Sequence, residues 1–294
     1  MDTSEILKRI RKIEITTRNL VSELFSGEYH SLFKGQGLEF SEVREYQSGD
    51  SFRQIDWNVS ARMGTPYIKK FEETRELNVL FLVDSSASTL FGTKQLLKSE
   101  FITEITAVLS FSALSNNDKV GLLLFTNEIE KYVPPRKGKK TALRILRDIL
   151  YFEPKQVKTD IKKAVEYIYR LTNKRSIIFV ISDFQDEGFL DSLKLLARKH
   201  DVIALRVLDN AEISLPKAGI LHLEDPETGQ KFSINTASKK VREKYAKLVK
   251  ETDDKLINDF RKQQIDMVTL YTDKPYAPVL MTFFKMRIRR KNSH

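Results

Sequence analysis

Two short apolar runs, each closing on an aspartate, constrain this chain more than any other feature. Residues 77–83 run into Asp84, and residues 176–182 run into Asp183. Runs of this length without polar alternation suit strands buried on both faces, the habit of parallel sheets. Helical spacing fills the intervals: residues 93–115, about 139–151, 160–171 and 187–199 each repeat apolar side chains every three or four positions. Residues 119–126 and 201–208 read as further buried strands, and residues 130–133 as a short antiparallel partner of the former. Strands alternating with helices predict an α/β fold with a doubly wound, mostly parallel central sheet flanked by helices.

The flanking segments are less regular. Ile6, Ile10, Ile13, Leu20, Val21 and Leu24 space an amphipathic helix over residues 3–25. Residues 26–75 are polar and weakly periodic, and read as an irregular extension. The chain thus divides into residues 1–75, packed on the main unit, and the main α/β domain over 76–294. A small β-hairpin insertion is expected near 212–236, around the turn-rich Asp225-Pro226-Glu227-Thr228-Gly229. Ser238 is placed to cap a long charged helix through about Gln264, with Val241, Tyr245, Leu248, Leu256 and Phe260 on its apolar face. A last strand over 267–271 precedes a final helix from Pro275 onward.

Composition narrows the function classes. There is no cysteine, which excludes disulfides, thiolate metal sites and a cysteine nucleophile. No apolar run reaches bilayer-spanning length, and the first residues lack a basic stretch followed by an apolar one, so a cytoplasmic protein is expected. The formal charge of +10 is concentrated at one end: residues 1–75 balance 12 basic against 12 acidic side chains, whereas residues 231–294 carry 16 basic and 7 acidic. The run from Lys285 to Lys291 could draw nucleic acid or an anionic surface by charge alone, although a solvated helix end is the plainer reading.

The chemistry gathers where the two apolar runs end. In doubly wound sheets, ligands bind beyond the carboxyl ends of the strands, where strand order reverses. The loop Asp84-Ser85-Ser86-Ala87-Ser88 offers one carboxylate and two hydroxyls, Thr159 a further hydroxyl before a helix, and Asp183 a second carboxylate. All are hard oxygen donors, the set preferred by Mg²⁺ or by another divalent cation such as Mn²⁺ or Ca²⁺. Such a shell stays incomplete and leaves a coordination position open to an outside oxygen.

The Asp-x-Ser-x-Ser loop after the first strand resembles the metal-ion-dependent adhesion site of von Willebrand factor A domains. Asp84, Ser86 and Ser88 match its first motif, Thr159 its isolated threonine and Asp183 its late aspartate. That resemblance implies direct coordination by Ser86 and Ser88, and by Thr159 directly or through water. The two aspartates would act largely through water, and a partner's carboxylate would complete the shell. Phe184 departs from the pattern, since many such domains carry glycine after the late aspartate. The N-terminal stretch is similar to the signature of the bacterial family called domain of unknown function fifty-eight, on Gly37-Leu38-Glu39-Phe40, Arg44-Glu45-Tyr46, Gly49-Asp50, Arg53-Gln54-Ile55-Asp56-Trp57 and Ala61-Arg62. Members often accompany MoxR-type AAA+ ATPases, so the resemblance implies a non-enzymatic partner or adaptor of such an ATPase in protein assembly or remodelling.

Plainer readings stand beside these. An Asp and two Ser also cap helices. Arg44, Asp50, Arg53 and Asp56 form ion pairs more readily than a catalytic set, and Trp57 is expected to anchor the segment by burying its ring. His30, His200, His222 and His294 share no ligand spacing, Gly35-x-Gly37 lacks the context of a dinucleotide loop, and Gly138-Lys139-Lys140-Thr141 lacks the earlier glycine of a phosphate-binding loop. With no nucleophile–base–acid set, the expectation is a metal-dependent protein-binding module and not an enzyme. The alternatives are a metal-dependent phosphoesterase or nuclease, and nucleic-acid binding through residues 285–291.

Overall fold

A computed structural model of the chain describes residues 3–21, 38–73, 76–90, 97–154, 156, 158–224 and 229–292. Its centre is a six-stranded sheet of order β10-β7-β6-β3-β4-β5. The strands are β3 (Asn78–Asp84), β4 (Lys119–Phe125), β5 (Ile129–Arg136), β6 (Ser176–Ser182), β7 (Asp201–Leu208) and β10 (Asp266–Tyr271). Every pairing is parallel except β4 with the edge strand β5. The expected α/β architecture, with a mainly parallel sheet flanked by helices, is therefore present.

Alternation along β3 and β6 separates two apolar layers. Val79, Phe81 and Val83 join Ile177, Phe179 and Ile181 on one face. There they pack on α3 (Lys98–Ser115), α4 (Lys139–Leu150) and α9 (Tyr276–Asn292) through residues such as Phe101, Ile145 and Phe284. Leu80, Leu82, Ile178 and Val180 face the other way, onto α5 (Ile161–Leu171), α6 (Leu190–Lys199) and Phe260 of α8 (Lys239–Lys262). All seven residues of β6 are buried. Each fully buried Val, Leu, Ile or Phe contributes about 1.5–3 kcal/mol, so this double-sided burial dominates the sheet's stability. The N-terminal helix α1 (Thr3–Leu20) adds Ile13 to the first layer, and Val21 follows it there.

Residues 38–73 correct the expectation of an irregular extension. They form an antiparallel ribbon of β1 (Leu38–Glu45) and β2 (Tyr67–Glu73), bridged by a 3₁₀ turn (Phe52–Gln54) and α2 (Trp57–Met63). Both strands are rich in charge, so their β pattern is masked in sequence: LEFSEVRE faces YIKKFEE. Trp57 is also corrected. It is 70% exposed, and α2 has no buried residue, so its ring is not the expected buried anchor. Gly35, Gly37 and His30 lie outside the described residues, as do positions 93–96 of the helix expected over 93–115.

Beyond β7 a short helix α7 (Asn210–Ile213) leads to the hairpin of β8 (Ile220–Glu224) and β9 (Lys231–Asn235). The hairpin was expected; its turn residues 225–228 lie outside the described residues. Ser238 does occupy the N-cap of α8 but makes no side-chain capping bond, and Leu248 on that helix is 53% exposed.

Candidate functional site

Sequence order along the sheet reverses at β3. The chain leaves β3 for β4 on one side and returns to β6 on the other. In open α/β sheets such a reversal marks the crevice where ligands bind, beyond the carboxyl ends of the two strands. Val83 is level with Ile181, which puts Asp84 beside Ser182 on the adjacent strand. The Asp84 carboxyl is buried among neutral donors. Oδ1 accepts from Ser86 N at 2.9 Å and Oδ2 from Ser182 Oγ at 2.8 Å. Thr159 Oγ1 lies 3.4 and 3.5 Å from the two oxygens. Burial, then the charge of Asp183, pushes the Asp84 carboxyl up to about 6, while the Ser86 and Ser182 bonds work the other way.

The hydroxyls are set by local structure. Ser86 and Ser88 open a 3₁₀ turn (Ala87–Leu90), and Thr89 N and Oγ1 both donate to Ser86 O. This folds the loop so that Ser86 Oγ and Ser88 Oγ stand 3.0 Å apart. Thr159 arrives from the loop before α5, which Asp160 caps by accepting from Lys163 N. Asp186, unremarked in the sequence, accepts from Ile161 N at 2.8 Å and so joins the loop after β6 to the start of α5. Burial raises the Asp186 carboxyl above its usual range.

Asp183 has different company. Its Oδ1 accepts from Gln185 N, and its Oδ2 from Lys98 Nζ at 3.3 Å. Lys98 opens α3 and is 2% exposed, and its ammonium also donates to Glu212 Oε2 at 2.8 Å. Arg206 Nε donates to the Asp183 carbonyl and its Nη2 reaches Asp253 on α8 at 2.7 Å. Sequence reading missed Lys98, Glu212 and Arg206, because an isolated charge in a helical or strand pattern carries no mark of its distant partner. Phe184 takes φ +57°, a conformation that favours glycine, and its ring stays buried against Phe189 and Phe260 at 5.7 and 5.4 Å. The left-handed backbone there explains why glycine suits this position, and the ring contacts explain how phenylalanine is held in it.

All five sequence-chosen residues, Asp84, Ser86, Ser88, Thr159 and Asp183, therefore gather beyond the carboxyl ends of β3 and β6. Adjacent oxygens around an octahedral Mg²⁺ at 2.0–2.1 Å stand about 3 Å apart. The Ser86–Ser88 spacing fits that requirement, and a buried carboxyl with neutral donors is one that a cation would stabilise. Among the described residues, no group of three or more His, Asp or Glu side chains has ligating geometry. Any ion held in this crevice would rest on hydroxyls supported by two carboxylates.

The signature residues are used locally. Arg44 grips Asp50 through two bonds of 2.9 and 2.8 Å and, with Gln47 N, holds the Asp50 carboxyl below its usual range. Asp56 caps α2 by accepting from Asn58 N and Val59 N. Tyr46 stacks on Phe52 at 5.5 Å, and Gly49 takes φ +109° in the turn between them. Arg53 and Arg62 are exposed, and the Glu39 side chain lies outside the described residues. At the far end, Arg287 pairs with Asp201 and Asp266, and Arg290 with Asp266, so part of the basic tail is neutralised within the molecule.

Comparison with known proteins adds the family context. A family model described as "Protein of unknown function DUF58" matches residues 42–255. An uncharacterized protein of Mycobacterium tuberculosis is 28% identical over 294 residues, covering 98% of this chain and 92% of that protein. The uncharacterized protein YeaD of Bacillus subtilis is 32% identical over 107 residues, 36% of this chain and 25% of its own length. Among solved structures, the conserved hypothetical protein BatB of Bacteroides thetaiotaomicron is similar at a TM-score of 0.46 and 18% identity, covering 74% of this chain and all of that one.

Proposed function

The chain belongs to the DUF58 family, and we propose that its crevice is a divalent-cation site of the von Willebrand factor A adhesion type, serving a non-enzymatic protein-binding module. Ser86, Ser88 and Thr159 would hold the ion, with Asp84 and Asp183 balancing its charge. Mg²⁺ is the expected ion; its contribution is an open position that takes a carboxylate from a protein partner. The observation that carries this reading is the buried Asp84 carboxyl beside two hydroxyls 3.0 Å apart. The partner implied by the family resemblance is a MoxR-type AAA+ ATPase, which enters the proposal as the first candidate to test.

The enzymatic alternative draws less support. Metal-assisted hydrolysis needs a group that activates or protonates at the metal. His200 lies at the opposite pole, immediately before β7 begins, and His222 is on the hairpin bonded to Ser233. Lys98 and Glu212, which are able to carry a proton near Asp183, are bonded to each other, and Lys98 to Asp183 as well. Binding of Mn²⁺, counted as loss of the free-ion EPR signal, tests the proposal directly. Wild-type protein should bind Mn²⁺ and be displaced by Mg²⁺, and Asp84→Ala should lose binding while keeping its far-UV circular dichroism. A folded wild-type chain that leaves the Mn²⁺ signal unchanged would refute the proposal. Mixing with the purified ATPase in Mg²⁺ and in EDTA then tests the partner.

A further inference from the structure

Lys98 is placed where neither its helix nor solvent accounts for it. A cation in the first turn of a helix opposes the helix dipole, and lysine is rarely this buried unless paired. Its ammonium is shared between Asp183, at 3.3 Å, and Glu212, at 2.8 Å. Glu212 is in turn fixed: its Oε1 accepts from Asp209 N in the cap of α7, Gln185 Nε2 donates to its Oε2, and Tyr245 of α8 donates to its carbonyl. One buried cation thus bridges the carboxylate beside the crevice to the α7–α8 region.

We propose that Lys98 is a resident counter-cation that sets the affinity of the crevice for divalent ions through Asp183, with Glu212 as its holding group. This inference rests on the cation site proposed above. Without a divalent ion, the ammonium neutralises Asp183. A divalent ion in the crevice competes for that carboxylate, and the ammonium, repelled by the ion, is retained by the nearer Glu212. Loading is opposed by like charge in a region of low dielectric, where such repulsion is strong. The crevice therefore loads fully when a partner's carboxylate supplies the missing negative charge, which links ion and partner binding.

Substitution at the two ends of this arrangement should move Mn²⁺ affinity in opposite directions, read by EPR on the full chain. Lys98→Met removes the competitor and should bind about tenfold more tightly than wild type. Glu212→Gln leaves the ammonium to Asp183 alone and should bind several-fold more weakly. Lys163→Met, which removes an exposed lysine, should shift affinity by less than about twofold. Thermal melts in EDTA and in Mn²⁺ report folding, and the Mn²⁺-induced rise in Tm should be larger for Lys98→Met than for wild type. Tighter binding by Lys98→Met with weaker binding by Glu212→Gln supports the inference. If wild type binds Mn²⁺ and Lys98→Met shifts affinity no more than Lys163→Met, or if both crevice variants weaken binding, the inference falls and the cation site stands. Should Lys98→Met not fold, unchanged binding by Glu212→Gln overturns the inference alone. If folded wild type does not bind Mn²⁺, the cation site falls and this inference falls with it.

Discussion

Ser182 Oγ donates to Asp84 Oδ2 at 2.8 Å, and the same hydroxyl oxygen accepts from Phe184 N at 3.1 Å. One hydroxyl on β6 therefore satisfies the buried carboxyl that ends β3 and the amide of a residue in left-handed conformation. Ser182→Ala leaves both groups without that partner. The expected loss is about 1–3 kcal/mol, the cost of stranding a buried acceptor and donor. Urea denaturation of the two proteins at neutral pH measures it, and a loss below about 0.5 kcal/mol would show that neither bond matters to the fold.

Gly121 sits where β4 meets the antiparallel edge strand. A Cβ there would stand 2.8 Å from Val133 O, 2.9 Å from Leu80 Cδ2 and 2.9 Å from Pro135 N. Two of these are backbone atoms of β5, which cannot yield without disturbing a pairing already irregular between Val120 and Leu122. Gly121→Ala should destabilise by about 1–3 kcal/mol, as overpacking does. The same denaturation experiment reads it, and a neutral or stabilising result would mean that β5 moves away freely.

What the sequence disclosed follows from how its signals arise. Residues 201–208 read as a strand because burial on both faces leaves an unbroken apolar run, and β7 spans the same residues. The hydroxyl loop was legible because its donors fall at alternate positions of one short stretch, and Asp183 because it ends a run like that before Asp84. Lys98, Glu212, Ser182 and Asp186 were not legible. Each acts through a partner brought near by register or helix packing, and a single polar residue looks the same whether it meets water or a carboxylate. The β1–β2 ribbon was hidden for another reason: its strands are short and rich in charge, and a register shift between Phe40 and Glu42 interrupts their alternation.

Trp57 offers a clean test of that last failure. Its indole is 70% exposed, and the neighbouring Phe52 and Met63 are exposed as well. Trp57→Ala should change stability by no more than about 0.5 kcal/mol, the usual range for surface positions. A buried anchoring aromatic would lose about 3–5 kcal/mol instead. Equilibrium unfolding followed by circular dichroism separates the two, since it does not depend on the tryptophan signal.

His200 gives the fold a pH dependence of calculable sign. Burial, followed by the charges of Lys199 and Arg175, pushes its imidazole down to about 4, against a weaker opposing interaction with the Thr172 backbone carbonyl. Geometry agrees, because Ser176 N donates to Nδ1 at 3.2 Å and an imidazolium would have to present a proton there. The unfolded chain takes up a proton near its ordinary pKa of about 6.5, which the folded chain refuses until pH about 4. Stability from this group is thus complete above pH about 6.5 and declines as pH falls toward 4, by about 2–3 kcal/mol in all. Asp84 acts in the opposite sense. Its carboxyl is raised to about 6, so its burial costs stability above that pH, and protonation relieves the cost as pH falls. The two effects offset each other in wild type, so the measurement is a difference. From pH about 7.5 to about 4.5, His200→Gln should lose roughly 2 kcal/mol less stability than wild type in urea titrations. Parallel pH profiles for the two proteins would mean that His200 is protonated in the folded state and that Ser176 N has released it.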